Sequence, residues 1–248
     1  NLASIRNNLG SLYRRLGRYD EAESMIRQAL SAREKDLGPE HLQTASSLNN
    51  LANLYDELGR PAEAEPLFIR AAAIWEKQLG PDHPYVATGC FNLGLLNARL
   101  RRWAESETYY LRAREIRKKQ LGDDHPDYAL VLHALANVYR DQGRHSGAEP
   151  LYTRSLAITE AALGPGHLSV ASILNDLARL RRLQGDAETA ENLLLRALAI
   201  QENAGLDQPE LAETLHNYAE LMREQGRVDE AAELEERAGS IRSRPESP

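Results

Sequence analysis

Four histidines recur at regular intervals, His41, His83, His125 and His167, the first three beside acidic residues, and Asp123-Asp124-His125 is the densest of these groups. Imidazole and carboxylate bind zinc, but a metal site needs several of them converging on one point. These histidines follow one another at intervals of 42 residues, which spreads them along the chain. The recurrence predicts a loop residue that helps open the next helix, and no metal. Cys90 is the one cysteine, which excludes an internal disulfide and a cysteine-based zinc site. Its place in the 42-residue period is taken elsewhere by Arg6, Leu48, Leu132, Leu174 and Leu215, mostly packing residues, so a buried, inert thiol is expected. The sequence carries no G-x-S-x-G, no H-E-x-x-H and no phosphate-cradling glycine loop, and neither enzyme activity nor a cofactor is expected.

The elements that must position these residues are set by repetition. Leu37-Gly-Pro-Glu-His recurs as Leu79-Gly-Pro-Asp-His, Leu121-Gly-Asp-Asp-His and Leu163-Gly-Pro-Gly-His, each 42 residues after the last. A second register agrees: Asn8-Leu-Gly-Ser-Leu-Tyr, Asn50-Leu-Ala-Asn-Leu-Tyr, Asn92-Leu-Gly-Leu-Leu-Asn, Ala134-Leu-Ala-Asn-Val-Tyr and Asp176-Leu-Ala-Arg-Leu-Arg, with a sixth copy at Asn217 after 41 residues. A fixed period of this length marks stacked supersecondary units, each hiding its apolar face on its neighbours.

Within a copy the spacing is helical. Leu48, Leu51, Ala52 and Tyr55 fall on one face at i, i+3, i+4 and i+7, and Gly59-Arg60-Pro61 breaks the helix. A second helix runs through Ala64, Leu67, Phe68, Ala71 and Ala72 to Gly80, where glycine suits the left-handed position after a helix. His83-Pro84 opens the next unit, with proline where its missing N–H costs nothing. Gly10, Ala52, Gly94, Ala136, Ala178 and Ala219 hold one position, and Ala22, Ala64, Ser106, Ala148, Ala190 and Ala231 another. Small residues there allow helices to approach closely.

The pattern Leu51-Ala52, Tyr55, Gly59, Ala64, Phe68, Ala71 resembles the tetratricopeptide repeat. The 42-residue period, with Glu63-Ala-Glu-Pro-Leu-Phe and Leu79-Gly-Pro-Asp-His-Pro, is similar to the kinesin light chain subclass and covers essentially the whole chain. The resemblance implies an all-α fold, a right-handed superhelical α-solenoid of six antiparallel helix-turn-helix repeats. They are expected at about 3–36, 45–78, 87–120, 129–162, 171–204 and 212–242, in one solenoid over 1–242. Residues 243–248, Ser-Arg-Pro-Glu-Ser-Pro, read as a disordered tail. The resemblance also implies that first helices line a concave groove.

The first-helix face opposite Leu51, Ala52 and Tyr55 is therefore the candidate binding surface. Asparagine recurs on it, at Asn7, Asn8, Asn49, Asn50, Asn53, Asn92, Asn137, Asn175 and Asn217. An amide both donates and accepts, so it can pair with the backbone of an extended peptide. A hydrogen bond to a neighbouring helix is the alternative use. Arg99, Arg140, Arg179 and Arg182 lie on the same face against only Asp141 and Asp176, making the middle of the groove basic in a chain with net charge −7. Arginine forks bind carboxylates in pairs. Phe91, Leu95 and Leu130 are apolar residues on this otherwise wet face, and His133 lies beside them. The expected ligand is an extended, acidic protein segment with one apolar anchor, held over repeats three to five. The peptide-binding residues are Asn50, Asn53, Phe91, Asn92, Leu95, Arg99, Leu130, His133, Asn137, Arg140, Asn175, Arg179 and Arg182. The resemblance implies the same preference, since kinesin light chain repeats accept an aromatic flanked by acids.

Composition narrows the rest. The chain has 248 residues, 37 acidic and 30 basic, and 6% aromatic, so its core is built from leucine and alanine. An acidic balance disfavours nucleic-acid binding. No apolar run reaches about 18 residues and no signal-peptide pattern appears, so no membrane partner and a cytoplasmic location are expected. Two further readings stay open: a self-assembly module dimerising through an open N-terminal face, and the sensor or regulatory arm of a larger signalling protein. Trp75 falls where Arg33 and Arg117 fall, near the end of a second helix, where exposure is expected and no role is assigned.

Overall fold

The computed structural model describes residues 2–205 and 209–242; the expected tail 243–248 lies outside them. Among the described residues there are twelve α-helices and no strand. They are α1 (Leu2–Arg15), α2 (Tyr19–Leu37), α3 (Leu42–Glu57), α4 (Pro61–Leu79), α5 (Pro84–Arg99), α6 (Trp103–Leu121), α7 (Pro126–Asp141), α8 (His145–Leu163), α9 (Leu168–Leu183), α10 (Ala187–Asn203), α11 (Pro209–Glu224) and α12 (Val228–Arg242). They cluster into two compact units that divide after Asp123, with α1–α6 in the first and α7–α12 in the second.

The recurring histidines start helices. The Nδ1 of His41 accepts a hydrogen bond from the backbone N–H of Gln43, and His83, His125 and His167 do the same for Tyr85, Asp127 and Ser169, each at 3.1 Å. Each satisfies one of the donors that a helix N-terminus leaves open. This is the structural role their period predicts, and among the described residues no group of three His, Cys, Asp or Glu could hold a metal ion. Second helices end on Gly38, Gly80, Gly122 and Gly164 at φ between 86° and 95°. The tight turns use Gly17, Gly59, Gly143, Gly185 and Gly226, also at positive φ, but in the third repeat the position falls to Arg101 at φ 57°. A side chain in that region costs roughly 1 kcal/mol.

Packing within a pair follows from the small positions. A Cβ on Gly10 would meet Ile26 at 2.5 Å, and one on Gly94 would meet Tyr110 at 2.7 Å. In the first unit Ala52, Leu54, Tyr55, Phe68 and Leu96 form a core with Ala22 and Ile26. In the second, Ala136, Tyr152, Ile173 and Leu180 form one cluster and Leu194, Leu215, Ala219 and Met222 another. Cys90 is buried, and burial pushes its thiol pKa up, as an inert thiol requires.

Trp75 corrects its expectation. It is 3% exposed, its ring centroid is 5.5 Å from that of Tyr85, and it packs beside Gly89. The helical period places it near the end of α4 but not which neighbour it meets. The adjoining α5 presents Gly89 just where an indole needs room.

Candidate functional site

The first helices present the candidate residues in both units. In the first unit, α3 carries Asn50 and Asn53, and α5 carries Phe91, Asn92, Leu95 and Arg99. Asn50 and Asn53 are half-buried, and neither side chain hydrogen-bonds another described residue. Asn92 is committed: its Nδ2 donates to Asn49 Oδ1 at 2.8 Å across to α3. Arg99 is exposed but bridged to Asp56 at 2.7 Å. The Phe91 ring lies tilted against Tyr110, centroids 5.5 Å apart, with the Arg117 guanidinium 5.0 Å over its ring.

The second unit brings a denser set together. Asp176 on α9 accepts from Arg140 Nη1 at 2.7 Å and from Arg179 Nη1 at 3.5 Å, and its other oxygen lies 2.7 Å from His133 Nε2. Asn137 Oδ1 accepts from Arg140 at 3.1 Å and from the Tyr152 hydroxyl, and Tyr152 also accepts from Arg140 at 3.0 Å. Burial alone would raise the Asp176 pKa, but hydrogen bonds and charges from His133 and Arg140 more than offset it, holding the carboxyl well below the usual range. Burial would likewise lower Arg140, and Asp176 overrides it, so Arg140 stays charged although it is only 6% exposed. Asn175 is buried and accepts from Asn217 Nδ2 at 2.9 Å. Arg182 is bridged to Glu220 at 2.8 Å and Glu224 at 2.7 Å, and Arg179 approaches Glu213 only at 3.9 Å.

A common geometry underlies these contacts. Arg99–Asp56, His133–Asp176, Arg140–Asp176, Asn175–Asn217, Arg179–Glu213 and the Arg182 bridges each join a first helix to the next first helix, 34 to 43 residues on, as Arg14–Glu57 and Asn49–Asn92 do. The alternative use of the asparagines is therefore realised at Asn92 and Asn175, while Asn50 and Asn53 keep their amides open. The positive charge counted along the sequence is largely answered by acids from the neighbouring repeat. Period fixes which face a residue is on, but not the partner a full repeat away.

One cavity adjoins these residues. It encloses about 420 Å³ in the second unit between α7, α8 and α9, with Leu130, His133, Thr159, Leu163, Ser172 and Ile173 among its lining. Leu130 and Leu163 are exposed by 47% and 43%. Of the expected binding residues it includes Leu130 and His133. Thr159 and Ile173 went unread because each looks like an ordinary packing residue in its own helix.

The comparisons with known proteins agree with this architecture. The family model of the tetratricopeptide repeat matches residues 1–72, 57–101, 89–161, 129–203 and 169–243, which together span nearly the whole chain. The chain belongs to the tetratricopeptide-repeat family. The fold is the all-α helical-repeat solenoid of that family. A Podosopora anserina kinesin light chain protein with nearly identical repeats is 26% identical, with 82% of this chain and 95% of that one covered and a TM-score of 0.69. BtubC (BKLC) from P. vanneervenii is 22% identical over 96% of this chain and 94% of that one, with a TM-score of 0.71. A Rap protein complexed with Competence and Sporulation Factor is 17% identical over 97% of this chain and 63% of that one, also at 0.71. The kinesin light chain likeness read from the 42-residue period thus has solved counterparts among tetratricopeptide-repeat proteins. No curated protein matches the sequence. No helix among the described residues is long and apolar enough to cross a membrane.

Proposed function

We propose that this tetratricopeptide-repeat protein is a non-enzymatic scaffold whose first-helix faces hold an extended segment of a partner protein. The observation that carries the reading is the cavity beside Leu130 and His133, open on the candidate face and rimmed by exposed leucines. Concave sites with apolar walls and a few fixed polar groups are where ligands gather. In the first unit the open amides of Asn50 and Asn53 are suited to a peptide backbone, which offers the same donors and acceptors at every residue. That the similar Rap protein holds Competence and Sporulation Factor supports a binding role for this fold.

Acidic segments are the preferred ligands. Arg179 leads the preference, because its side chain is 35% exposed and it meets Asp176 only at 3.5 Å and Glu213 only at 3.9 Å; Arg182, 19% exposed, adds to it through its solvent-facing partners Glu220 and Glu224. A long, solvent-exposed contact such as Arg179–Glu213 contributes little to stability and exchanges readily for a ligand carboxylate. Arg140 supports the site from inside. The test is fluorescence anisotropy with labelled acidic-aromatic peptides. Binding is expected to weaken at least about tenfold in an Arg179→Glu, Arg182→Glu double variant and to fall as salt screens the contact. Undiminished binding in that variant, or selection of basic peptides, contradicts the reading.

Self-association has an observation of its own. Leu2, Ile5 and Leu12 form an exposed stripe on α1, whereas Thr44, Ser47 and Leu54, their equivalents on α3, are buried. Light scattering over a concentration series tests it: a mass that doubles, and returns to one chain in Ile5→Glu, Leu12→Glu, supports pairing through this face. A mass independent of concentration removes it.

A further inference from the structure

Second helices hold the repeat that follows them through one carboxylate. By the repeat period, residues 23, 65, 107, 149 and 191 are all Glu. Glu23 on α2 accepts from the Tyr55 hydroxyl at 2.9 Å and from Arg60 at 3.2 Å, at and just beyond the end of α3. Glu65 accepts from Arg102 at 2.8 Å, Glu149 from Arg181 at 2.7 Å, and Glu191 from Tyr218 and Arg227, both at 2.8 Å. The same second helices supply apolar cover. Ile26 and Leu30 join a core with Leu54 and Tyr55 of α3, and Leu194 and Leu198 join one with Leu211 and Leu221 of α11. A covering helix thus presents a glutamate and, three and seven residues later on the same face, apolar side chains.

The first helix, α1, carries the receiving half of this contact. Leu2, Ile5 and Leu12 stand at the places of Leu211, Thr214 and Leu221, which are buried, yet they are 59%, 62% and 49% exposed. Tyr13 and Arg18 repeat Tyr55 and Arg60. The Arg18 guanidinium lies 4.4 Å over the Tyr13 ring, as Arg60 lies 4.3 Å over Tyr55, and each arginine bridges the acid three residues on, Glu21 or Glu63. What differs is the carboxylate from another helix. Among the described residues the Tyr13 hydroxyl has no hydrogen-bond partner, and Arg18 bridges only Glu21. Neither end of a second copy completes the contact. Helix α1 contains no acid, and Arg6 and Arg15 have no partner among the described residues, so α1 against α1 sets arginine against arginine. Helix α12 has Ala232, Glu235 and Gly239 at the places of Glu191, Leu194 and Leu198, so it lacks both the glutamate and the apolar pair in that arrangement.

We propose that the exposed face of α1 is a docking seat for an amphipathic helix of a partner polypeptide. That helix presents a glutamate to the Tyr13 hydroxyl and the Arg18 guanidinium, and apolar side chains three and seven residues later to Leu2, Ile5 and Leu12. It runs antiparallel to α1, as α2 runs to α3. The apolar stripe supplies the affinity and the two donors fix the register, because a carboxylate one turn away meets neither of them. The inference shares with the self-association reading only the exposure of this face, and gives the face a different occupant. It lies apart from the arginines and the cavity of the second unit.

The test uses a synthetic peptide of the α10 sequence, Ala187–Asn203, as the probe on the full chain, read by methyl NMR. The peptide carries Glu191, Leu194 and Leu198 in the required spacing. It is expected to shift the methyls of Leu2, Ile5 and Leu12 saturably. Glu191→Gln in the peptide is expected to weaken it about tenfold, and Arg18→Gln in the chain to produce the same loss with the helical circular dichroism of the parent. The two changes together are expected to cost little more than either alone, because they remove one contact. Should Arg18→Gln not fold, Tyr13→Phe, which deletes only the hydroxyl, is expected to weaken the peptide in its place. Equal affinity for the glutamine peptide, losses that add in full, shifts confined to other helices, or no saturable shift up to the solubility of the peptide would each overturn the seat. So would a mass that doubles without peptide while the same methyls shift with chain concentration, which returns the face to self-association. Binding of acidic peptides that depends on Arg179 and Arg182 would survive such a failure, so the two readings fall separately.

Discussion

Asp176 receives His133, Arg140 and Arg179 at once, and Arg140 also meets Asn137 and Tyr152. A buried arginine left without its carboxylate keeps its charge and loses its compensation, at a cost of roughly 3–5 kcal/mol. Asp176→Asn is therefore expected to lower stability by about that amount in urea unfolding, where a loss below about 1 kcal/mol would deny the network its role. The same residue sets a pH dependence. Its folded pKa lies below the unfolded value of about 3.9, so its stabilisation is full above that value and is lost as pH falls through the folded pKa. The urea midpoint should drop below about pH 4 in the parent, with a shallower drop in Asp176→Asn. This is also where the sequence misleads most. Period puts Arg140 on the wet face of its helix, but Tyr152 and Asp176, 12 and 36 residues away, close over it. Arg140 is part of the fold and is unsuitable as a probe of ligand charge. Trp75 escaped for the same reason, since its burial depends on Gly89 of the next helix.

At the scale of the helix, the local rules are legible and mostly obeyed. The histidine caps, the glycines after second helices and the small contact positions all come from interactions within a few residues or at a fixed period. Arg101 is the exception that tests them: it holds a left-handed turn that glycine fills in the other repeats. Arg101→Gly is expected to stabilise by about 1 kcal/mol, as relief of strain outweighs the extra freedom glycine gives the unfolded chain. A melting temperature unchanged or lowered would contradict that account. The cavity beside Leu130 lies beyond such rules, because it is a volume left over between three helices.

For the chain taken as a series of repeats, the inter-repeat contacts define what is available to a partner. Along the second helices, Arg70–Glu34, Arg102–Glu65 and Arg112–Glu76 pair in the first unit, and Arg227–Glu191 and Arg237–Glu202 in the second, at 2.6 to 2.8 Å. Along the first helices, the same device uses up Arg99, Arg140 and most of the asparagines. What remains is short: the amides of Asn50 and Asn53 in one unit, and in the other the loosely paired Arg179, the solvent-facing partners of Arg182, and the cavity at Leu130. That remainder is the basis for a binding role, and the surplus of acid over base is an average that conceals it. The most direct measurement is the affinity of acidic peptides with and without an aromatic residue for the parent chain and for Arg179→Glu, Arg182→Glu. The account predicts that the aromatic acidic peptides bind the parent, weaken with added salt, and lose at least about tenfold in the variant. Binding that ignores both the arginines and the salt would contradict it.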